Sequence, residues 1–296
     1  KYTMTFYIQI HSGLNNKLIP LLSLLRIARK EKRKIKCFWG PDAYTSSVIF
    51  KFLDLFEPIK DIDIINQTEY IEAFNNNDYK IYNKDGSDRD RKEIVYKTTQ
   101  KTCVFNCIVH LISYYEDNVI GNYVPYPREY KETTEIINEI RNISQELEPN
   151  IEIKKNINSI FEDFKNNFVL GIHIRSTDGG FVDIPTNNIY KFIEDYLIKN
   201  KSKNPKIYIS CDNENLENNI INKFPENILY FKNPFGDTYN DKFDRLSYGI
   251  KNAVCEMFTL SHCNEFIGTP GSSFSFMVWL LRNENSLNFW CDNPWK

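Results

Sequence analysis

FVLGIHIRSTDGG, residues 168–180, is the stretch on which the reading of this chain turns. It opens on an apolar run of strand length and ends on a histidine, an arginine, two hydroxyls, a carboxylate and two glycines. An apolar run of this length with a turn signal behind it reads as a strand buried on both faces, the kind that fills parallel sheets. Open parallel sheets bind ligands at the carboxyl ends of their strands, where helix N-termini present unpaired N–H groups. His173 and Arg175 stand at such an end.

The residues downstream repeat the pattern. KIYIS (206–210), ILYF (228–231) and EFIGT (265–269) read as strands. IYKFIEDYLIKN (189–200), NENLENNIINKF (213–224) and SYGIKNAVCEMFTLSHC (247–263) carry helical periodicity between them. Upstream, TFYIQI (5–10), the turn HSGLNN, the leucine-rich KLIPLLSLLRIARKEKRK (17–34) and IKCFWGPD (35–42) form a strand, loop, helix and strand. That order is a βαβ unit with a right-handed crossover and a parallel sheet. Pro20 falls near the first turn of the helix, a tolerated position. SSVIFKFLDLF (46–56) reads as another helix, DIDII (61–65) as a short strand, and the polar residues 74–102 as an exposed loop or hairpin region. TEIINEIRNISQEL (134–147) and IEIKKNINSIFEDF (151–164) are helices that bridge two halves, with a boundary near residue 150. A chain of 296 residues fits two domains of roughly 120–150 residues.

A formal charge of −2, with the signs interspersed, offers no basic stripe for nucleic acid, so an anionic ligand must be met locally. Three strand ends supply polar groups for one: His173 with Arg175, Ser210 with Asp212, and Thr269 with Gly271, Ser272 and Ser273. TPGSSFSFMVWLL (269–281) runs from small residues into an apolar helix, which sets backbone N–H groups at a helix mouth. An arginine opposite completes a clamp for a diphosphate, because guanidinium offers phosphate a planar fork. Each element alone is equally well a strand or helix cap; their joint placement makes a ligand site the stronger reading. Asn15, Asn16 and Lys17 open the first helix on the side of the expected central cleft, and capping accounts for Asn15 or Asn16 as well as binding does.

HIRSTD (173–178) resembles the histidine-x-arginine motif of the GDP-fucose-dependent fucosyltransferases, above all the nodulation and core α1,6 enzymes. SGLNNKL (12–18) is similar to the turn after their first strand, and CNEFIGTPGSSFS (263–275) to their C-terminal serine motif. The resemblance implies an α/β fold of two Rossmann-like lobes, GT-B-like, with 1–150 on the acceptor side and 151–296 binding the nucleotide sugar. It implies inverting, metal-independent transfer from GDP-fucose to a glycan or glycoconjugate, with no separate cofactor. Carried over, Arg175 holds the β-phosphate, His173 helps seat the nucleotide, Asp212 belongs to the second motif, and Ser272 and Ser273 hold the phosphates. Glu256 falls where the family has an aspartate that pairs with guanine N–H groups, a task suited to a carboxylate. Three departures stand out: Ser176 replaces a frequent second arginine, the turn reads GLNNK, and Glu256 is one methylene longer than aspartate. A transferase using another nucleotide sugar and a catalytically silent carbohydrate-binding protein are the alternatives.

The chemistry of the residues agrees with that reaction type. A leaving diphosphate needs its growing charge neutralised, and Arg175 with the helix mouth supplies fixed positive potential. The sugar's cationic transition state suits a nearby carboxylate, for which Asp178 is the candidate, with Asp183 close behind. Asp61-Ile-Asp63 and Asp88-Arg89-Asp90 have the spacing of a metal-binding pair but read as solvated turns. Cys103, Cys107 and His110 share one apolar face if helical, which makes core cysteines a better reading than a zinc site. His11 reads as a structural hydrogen-bonder, with acid, base or acceptor contact the lesser alternative. The aromatic tail NFWCDNPW (288–295) reads as packing, with an acceptor groove as the lesser alternative. No phosphate-loop or dinucleotide fingerprint is present, which argues against kinases and ordinary dehydrogenases.

Seven scattered cysteines among apolar neighbours read as free thiols in a reducing compartment, and no apolar run reaches about 18 residues. The expected location is cytoplasmic. A secretory lumen is the alternative had an N-terminal anchor been removed, and the triplets beginning at Asn66 and Asn142 would then be glycan acceptors.

Overall fold

The computed structural model of the chain describes residues 5–11, 13–40, 51–77, 80–82, 95–96, 102–108, 113–114, 134–176, 185–229, 235, 247–269 and 272–282. Two compact units divide the chain, one comprising Lys1–Asn150 with Lys242–Ser247, the other Ile151–Asp241 with Tyr248–Lys296.

The first unit runs β1 (Thr5–His11), α1 (Leu14–Lys30), β2 (Lys34–Phe38), β3 (Ile62–Ile65), α2 (Gln67–Asn76), β4 (Lys80–Tyr82), β5 (Val95–Tyr96), β6 (Thr102–Ile108), β7 (Ser113–Tyr114) and α3 (Thr134–Ser144). Its main sheet has the order β3-β2-β1-β6-β4 and every pairing is parallel. Helix α1 is buried along nearly its whole length because LIPLLSLLRIA is apolar on almost every side, and it packs against β1 and α3. Phe6, Ile8 and Ile10 are buried, while the alternate Tyr7 meets Phe38 and Tyr70. Arg26 reaches Glu139 of α3 at 3.2 Å. Arg29 grips Glu146 with both Nη atoms, at 2.5 and 2.7 Å, which lowers the pKa of the Glu146 carboxyl.

Three sequence expectations change in this unit. Of SSVIFKFLDLF, residues 46–50 lie outside the described residues, and 51–56 do not continue as a helix: they make a single 3-10 turn over Phe52–Asp54, then Phe56 bridges Pro149. The residues after α3 capture this segment. Asn150 donates from its backbone to the Leu55 carbonyl at 2.9 Å and from its side chain to the Asp54 carbonyl at 2.6 Å, taking acceptors that a continuing helix would use. Pro58 also disfavours helical backbone at Glu57. Residues 102–108 are a strand between β1 and β4, so Cys103 and Cys107 lie on extended backbone rather than on a helix. Within 74–102, Lys80–Tyr82 joins the main sheet, and Val95–Tyr96 pairs in parallel with Ser113–Tyr114, so neither is part of a hairpin. Pro20 lies in the second turn of α1, where it cannot donate to the Asn16 carbonyl, and the helix continues past it.

The second unit runs α4 (Ile151–Phe164), β8 (Phe168–Ile174), α5 (Thr186–Lys199), β9 (Pro205–Cys211), α6 (Glu214–Lys223), β10 (Ile228–Leu229), α7 (Ser247–Ser261), β11 (Glu265–Ile267) and α8 (Ser273–Leu281). Its sheet is parallel throughout, in the order β10-β9-β8-β11. From β8 the chain works outward through β9 to β10, then returns to place β11 on the other side of β8. The direction therefore reverses at β8, which makes a topological switch point between β8 and β11.

Strand β8 is buried from Val169 to Ile174, and its two faces do different things. Leu170, Ile172 and Ile174 pack with Ile189 and Ile193 of α5 and Ile220 of α6. Gly171 and His173 face the other way. A Cβ on Gly171 would lie 2.9 Å from Cys263 Sγ, so the chain leaving α7 approaches β8 only because glycine is there. Buried Arg282 ties the ends together by donating to the carbonyls of Leu260, Cys263 and Asn264 at 3.3, 2.6 and 3.2 Å. These bonds satisfy acceptors at the end of α7 that no helical N–H reaches. Among the described residues, no helix is long and apolar enough to cross a membrane.

Candidate active site

The rim of the second unit gathers the ends of β8, β9 and β11. Where the chain leaves β8, the Arg175 N–H donates to Thr269 Oγ1 at 2.9 Å, and that hydroxyl donates to the His173 carbonyl at 3.0 Å. Thr269 is fully buried, so a single side chain stitches β8 to the residues after β11. From the end of β9, Asp212 Oδ2 lies 3.3 Å from Arg175 Nε, and Oδ1 accepts the Ser176 N–H at 2.7 Å. Both charged side chains keep about a fifth of their surface exposed, 21% for Arg175 and 22% for Asp212. The guanidinium is thus held at its Nε edge, in a side chain that is not fully buried.

The helix mouth adjoins this point. Ser272 is the N-cap of α8, its side chain makes no capping bond, and its own N–H donates to the Thr269 carbonyl at 3.2 Å. The N–H groups of the first turn, from Ser273 to Ser275, have no acceptor within the helix. They add fixed positive potential beside Thr269. Ser275 Oγ accepts the Thr269 N–H at 3.0 Å and lies 2.6 Å from His173 Nδ1. A Cβ on Gly268 would fall 2.5 Å from that same Oγ, so this approach of β11 to α8 requires glycine.

His173 is buried, with its ring stacked on Phe274 at a centroid distance of 4.5 Å. Burial, helped by the Arg175 charge and opposed by Asp212, pushes its pKa down to about 3. The imidazole is neutral at physiological pH. Nδ1 and the Ser275 hydroxyl share one hydrogen bond, whose direction follows the ring tautomer.

Glu256 on α7 accepts the Ser210 hydroxyl at 2.6 Å, and burial raises its pKa to about 7 despite that bond. Glu217 in α6 is raised to about 8, first by burial and then by the charges of Glu256 and Glu214. The sequence reading singled out Glu256 and passed over Glu217. Only the short distance from Asp212 to Glu217 along the chain hinted that the start of α6 returns to the rim.

The structure therefore brings Arg175, Asp212, Thr269 and Ser272 together, with His173 behind them and Ser210 joined to Glu256 alongside. Ser273 is half-buried at the first position of α8. Gly271, Asp178 and Asp183 lie outside the described residues, as do Asp88, Asp90, His110 and the tail 288–295. Asn15 and Asn16 belong to the first unit, where neither caps α1, because Gly13 is the N-cap. Asn15 is buried with no hydrogen-bond partner for its Oδ1, and Asn16 is half-buried. Lys17 is also buried and donates to the Gly40 carbonyl at 2.8 Å. Asp61, half of one aspartate pair, sits in a left-handed turn with φ of 71° and pairs with Arg29 at 3.3 Å. Among the described residues, no group of three or more histidines, cysteines or carboxylates is placed to hold a metal ion.

No protein-family profile matches the chain, and no curated protein sequence matches it. Solved structures do. NodZ α-1,6-fucosyltransferase soaked with GDP-fucose is 17% identical, with a TM-score of 0.57 over 93% of this chain and 92% of that one. The fold is that of the fucosyltransferases. Selenomethionine NodZ from Bradyrhizobium aligns with a TM-score of 0.61, 17% identity and coverage of 93% and 91%. A variant of FUT1 from Arabidopsis thaliana in complex with GDP aligns with a TM-score of 0.59 at 12% identity, over 95% of this chain and 69% of that one. The fucosyltransferase fold thus extends over both units of the chain.

Proposed function

We propose that the chain is an inverting, metal-independent glycosyltransferase of the two-lobed GT-B type, moving fucose from GDP-fucose to a glycan or glycoconjugate. The observation that carries this reading is the convergence of Arg175, Asp212, Thr269 and the mouth of α8 at the switch point of one parallel sheet. The solved structures of similar fold include NodZ soaked with GDP-fucose and FUT1 in complex with GDP, which supports the same donor here.

In this reading the second unit holds the donor and the first faces the acceptor. Arg175 and the free N–H groups of α8 take the diphosphate and neutralise the charge that grows as the sugar leaves. His173 stays neutral and holds Ser275, hence the start of α8, in place. Glu256, when ionised, accepts the two N–H donors on the Watson–Crick edge of guanine. Asp178, three residues after Arg175 in the sequence, is assigned to the sugar side of the reaction. Asn15 and Asn16 are assigned to substrate at the start of α1.

Thermal unfolding with GDP, UDP, dTDP and their sugars tests the donor. GDP at 100 times its dissociation constant should add about 2.7 kcal/mol to the folded state, and Arg175→Ala should abolish transfer. Stabilisation by UDP or dTDP alone refutes the guanine assignment. Transfer that continues in excess chelator supports metal independence, and the anomeric configuration of the product decides inversion. A protein that binds GDP-fucose but neither hydrolyses nor transfers it is the silent carbohydrate-binding protein instead.

A further inference from the structure

The first unit carries a cavity of about 260 Å³ that the donor chemistry does not use, lined by Gln9, Phe38, Gln67, Tyr70, Ile71 and Phe74. It opens toward the carboxyl ends of parallel strands: Gln9 is near the end of β1, Phe38 ends β2, and Gln67 begins α2. Three aromatic rings form its apolar side. Phe38 stacks on Tyr70 with centroids 5.9 Å apart, and Phe74 lies 6.3 Å from Tyr70. Among the described residues, the side-chain amides of Gln9 and Gln67 have no hydrogen-bond partner.

The lining contains no charged side chain. Lys36 and Glu69, two residues from Phe38 and Gln67 along the chain, pair with one another at 2.5 Å. An anionic ligand would find no counter-charge, and a wholly apolar one would bury two carboxamides without partners. A ring with one C–H face and a rim of hydroxyls answers both demands. The face covers the aromatic side, and adjacent hydroxyls, each donor and acceptor, match the donor and acceptor of each amide. The volume falls just below the usual ligand-pocket range of about 300–1,000 Å³, so it suits one ring and not two.

We propose that this cavity is a subsite for a single neutral pyranose, held by Gln9 and Gln67 against Tyr70 and Phe74. Calling that pyranose part of the acceptor rests on the glycosyltransferase reading, whereas its binding here does not.

The test uses the full chain with methyl hexopyranosides, including the N-acetylglucosamine glycoside, alongside adenosine, guanosine and inorganic phosphate. Binding is followed by ligand-observed NMR on the wild type, Gln9→Ala, Gln67→Ala and Ile71→Trp, the last filling the cavity mouth. GDP stabilisation is measured in parallel as a check on folding and on the donor site. At least one glycoside should bind. Each glutamine variant should weaken it about three- to tenfold, the loss of one hydrogen bond, and Ile71→Trp should abolish it, all with GDP stabilisation unchanged. Gln67 is exposed at the start of its helix, so its variant keeps the test open if Gln9→Ala does not fold. The proposal is overturned if no glycoside binds, if binding is the same in all variants, or if only a nucleoside binds in a glutamine-dependent way. Glycoside binding without GDP binding sinks the donor reading and leaves the subsite. GDP binding without glycoside binding does the reverse.

Discussion

The carboxylate of Asp212 serves two neighbours at once: Oδ2 holds Arg175 Nε at 3.3 Å while Oδ1 accepts the Ser176 N–H at 2.7 Å. It fixes both the guanidinium and the backbone that carries it. Arg175→Lys keeps the charge but loses the planar fork, and GDP affinity should fall about tenfold, or ~1.4 kcal/mol. Asp212→Ala should cost a similar amount without removing any group that faces phosphate. Calorimetric titration measures both, and unchanged affinity in both variants would leave Arg175 a purely structural residue.

His173 titrates only when the fold opens. Its pKa is depressed to about 3 in the folded state, from an ordinary value near 6.5. The stability this contributes is present above about pH 6.5 and is lost as pH falls toward 3, because the unfolded chain binds the proton first. His173→Asn should therefore show a shallower acid loss of stability than the wild type in urea titrations between pH 7 and 4. At pH 7 it should be less stable by about 1–3 kcal/mol, through loss of the Phe274 stack and of the Ser275 bond. Equal acid slopes would show that the ring is not held neutral.

Glu256 and Glu217 carry the opposite sign. Their folded pKa values are raised, to about 7 and about 8, so the stability they contribute is full below about pH 4.5 and is lost as pH rises through those values. The ligand-free protein should lose stability between about pH 4.5 and 8, and Glu256→Gln with Glu217→Gln should flatten that slope while keeping an acceptor for Ser210. GDP binding should strengthen over the same interval, since only ionised Glu256 accepts two N–H donors. A pH-independent GDP affinity would remove Glu256 from base recognition.

Gly268→Ala places a methyl 2.5 Å from Ser275 Oγ and 2.6 Å from its Cβ. Something must move, and overpacking of this kind costs about 1–3 kcal/mol. The urea midpoint should fall by that amount at constant slope. A neutral substitution would mean that the residues after β11 are free to shift.

Four buried thiols should resist modification. Burial drives Cys37 and Cys255 up to about 12, and Cys211 and Cys263 are raised for the same reason. A disulfide-exchange reagent at pH 8, followed by peptide mass mapping, should label these four only after unfolding. Rapid labelling of the native chain would contradict their packing.

Strands buried on both faces were legible because their apolar runs are bounded by clear turns: β8, β9 and β11 each stand where their residues predict. Strand β6 was not, because the spacing of Cys103, Cys107 and His110 imitates a helix face, and only its place between β1 and β4 makes it extended. The segment 51–56 shows tertiary contacts overriding apolar periodicity, since Asn150 takes the carbonyls a helix would need. At the site, Arg175 and Asp212 were visible as polar ends of apolar strands. Glu217 was not, because a carboxylate near a helix start is ordinary, and its abnormal acidity comes from burial beside Glu256.

The return of the chain to set β11 beside β8 has a consequence for biosynthesis. Thr269, which fastens the exit of β8, lies 94 residues after Arg175. A ribosome must therefore make all 94 residues that follow Arg175, up to Thr269, before this junction can close. Until then, nascent β8 exposes an unpaired edge on the side that β11 will cover, a surface open to chaperones or to mispairing. Any ligand of this rim can reward folding only after Thr269 has emerged.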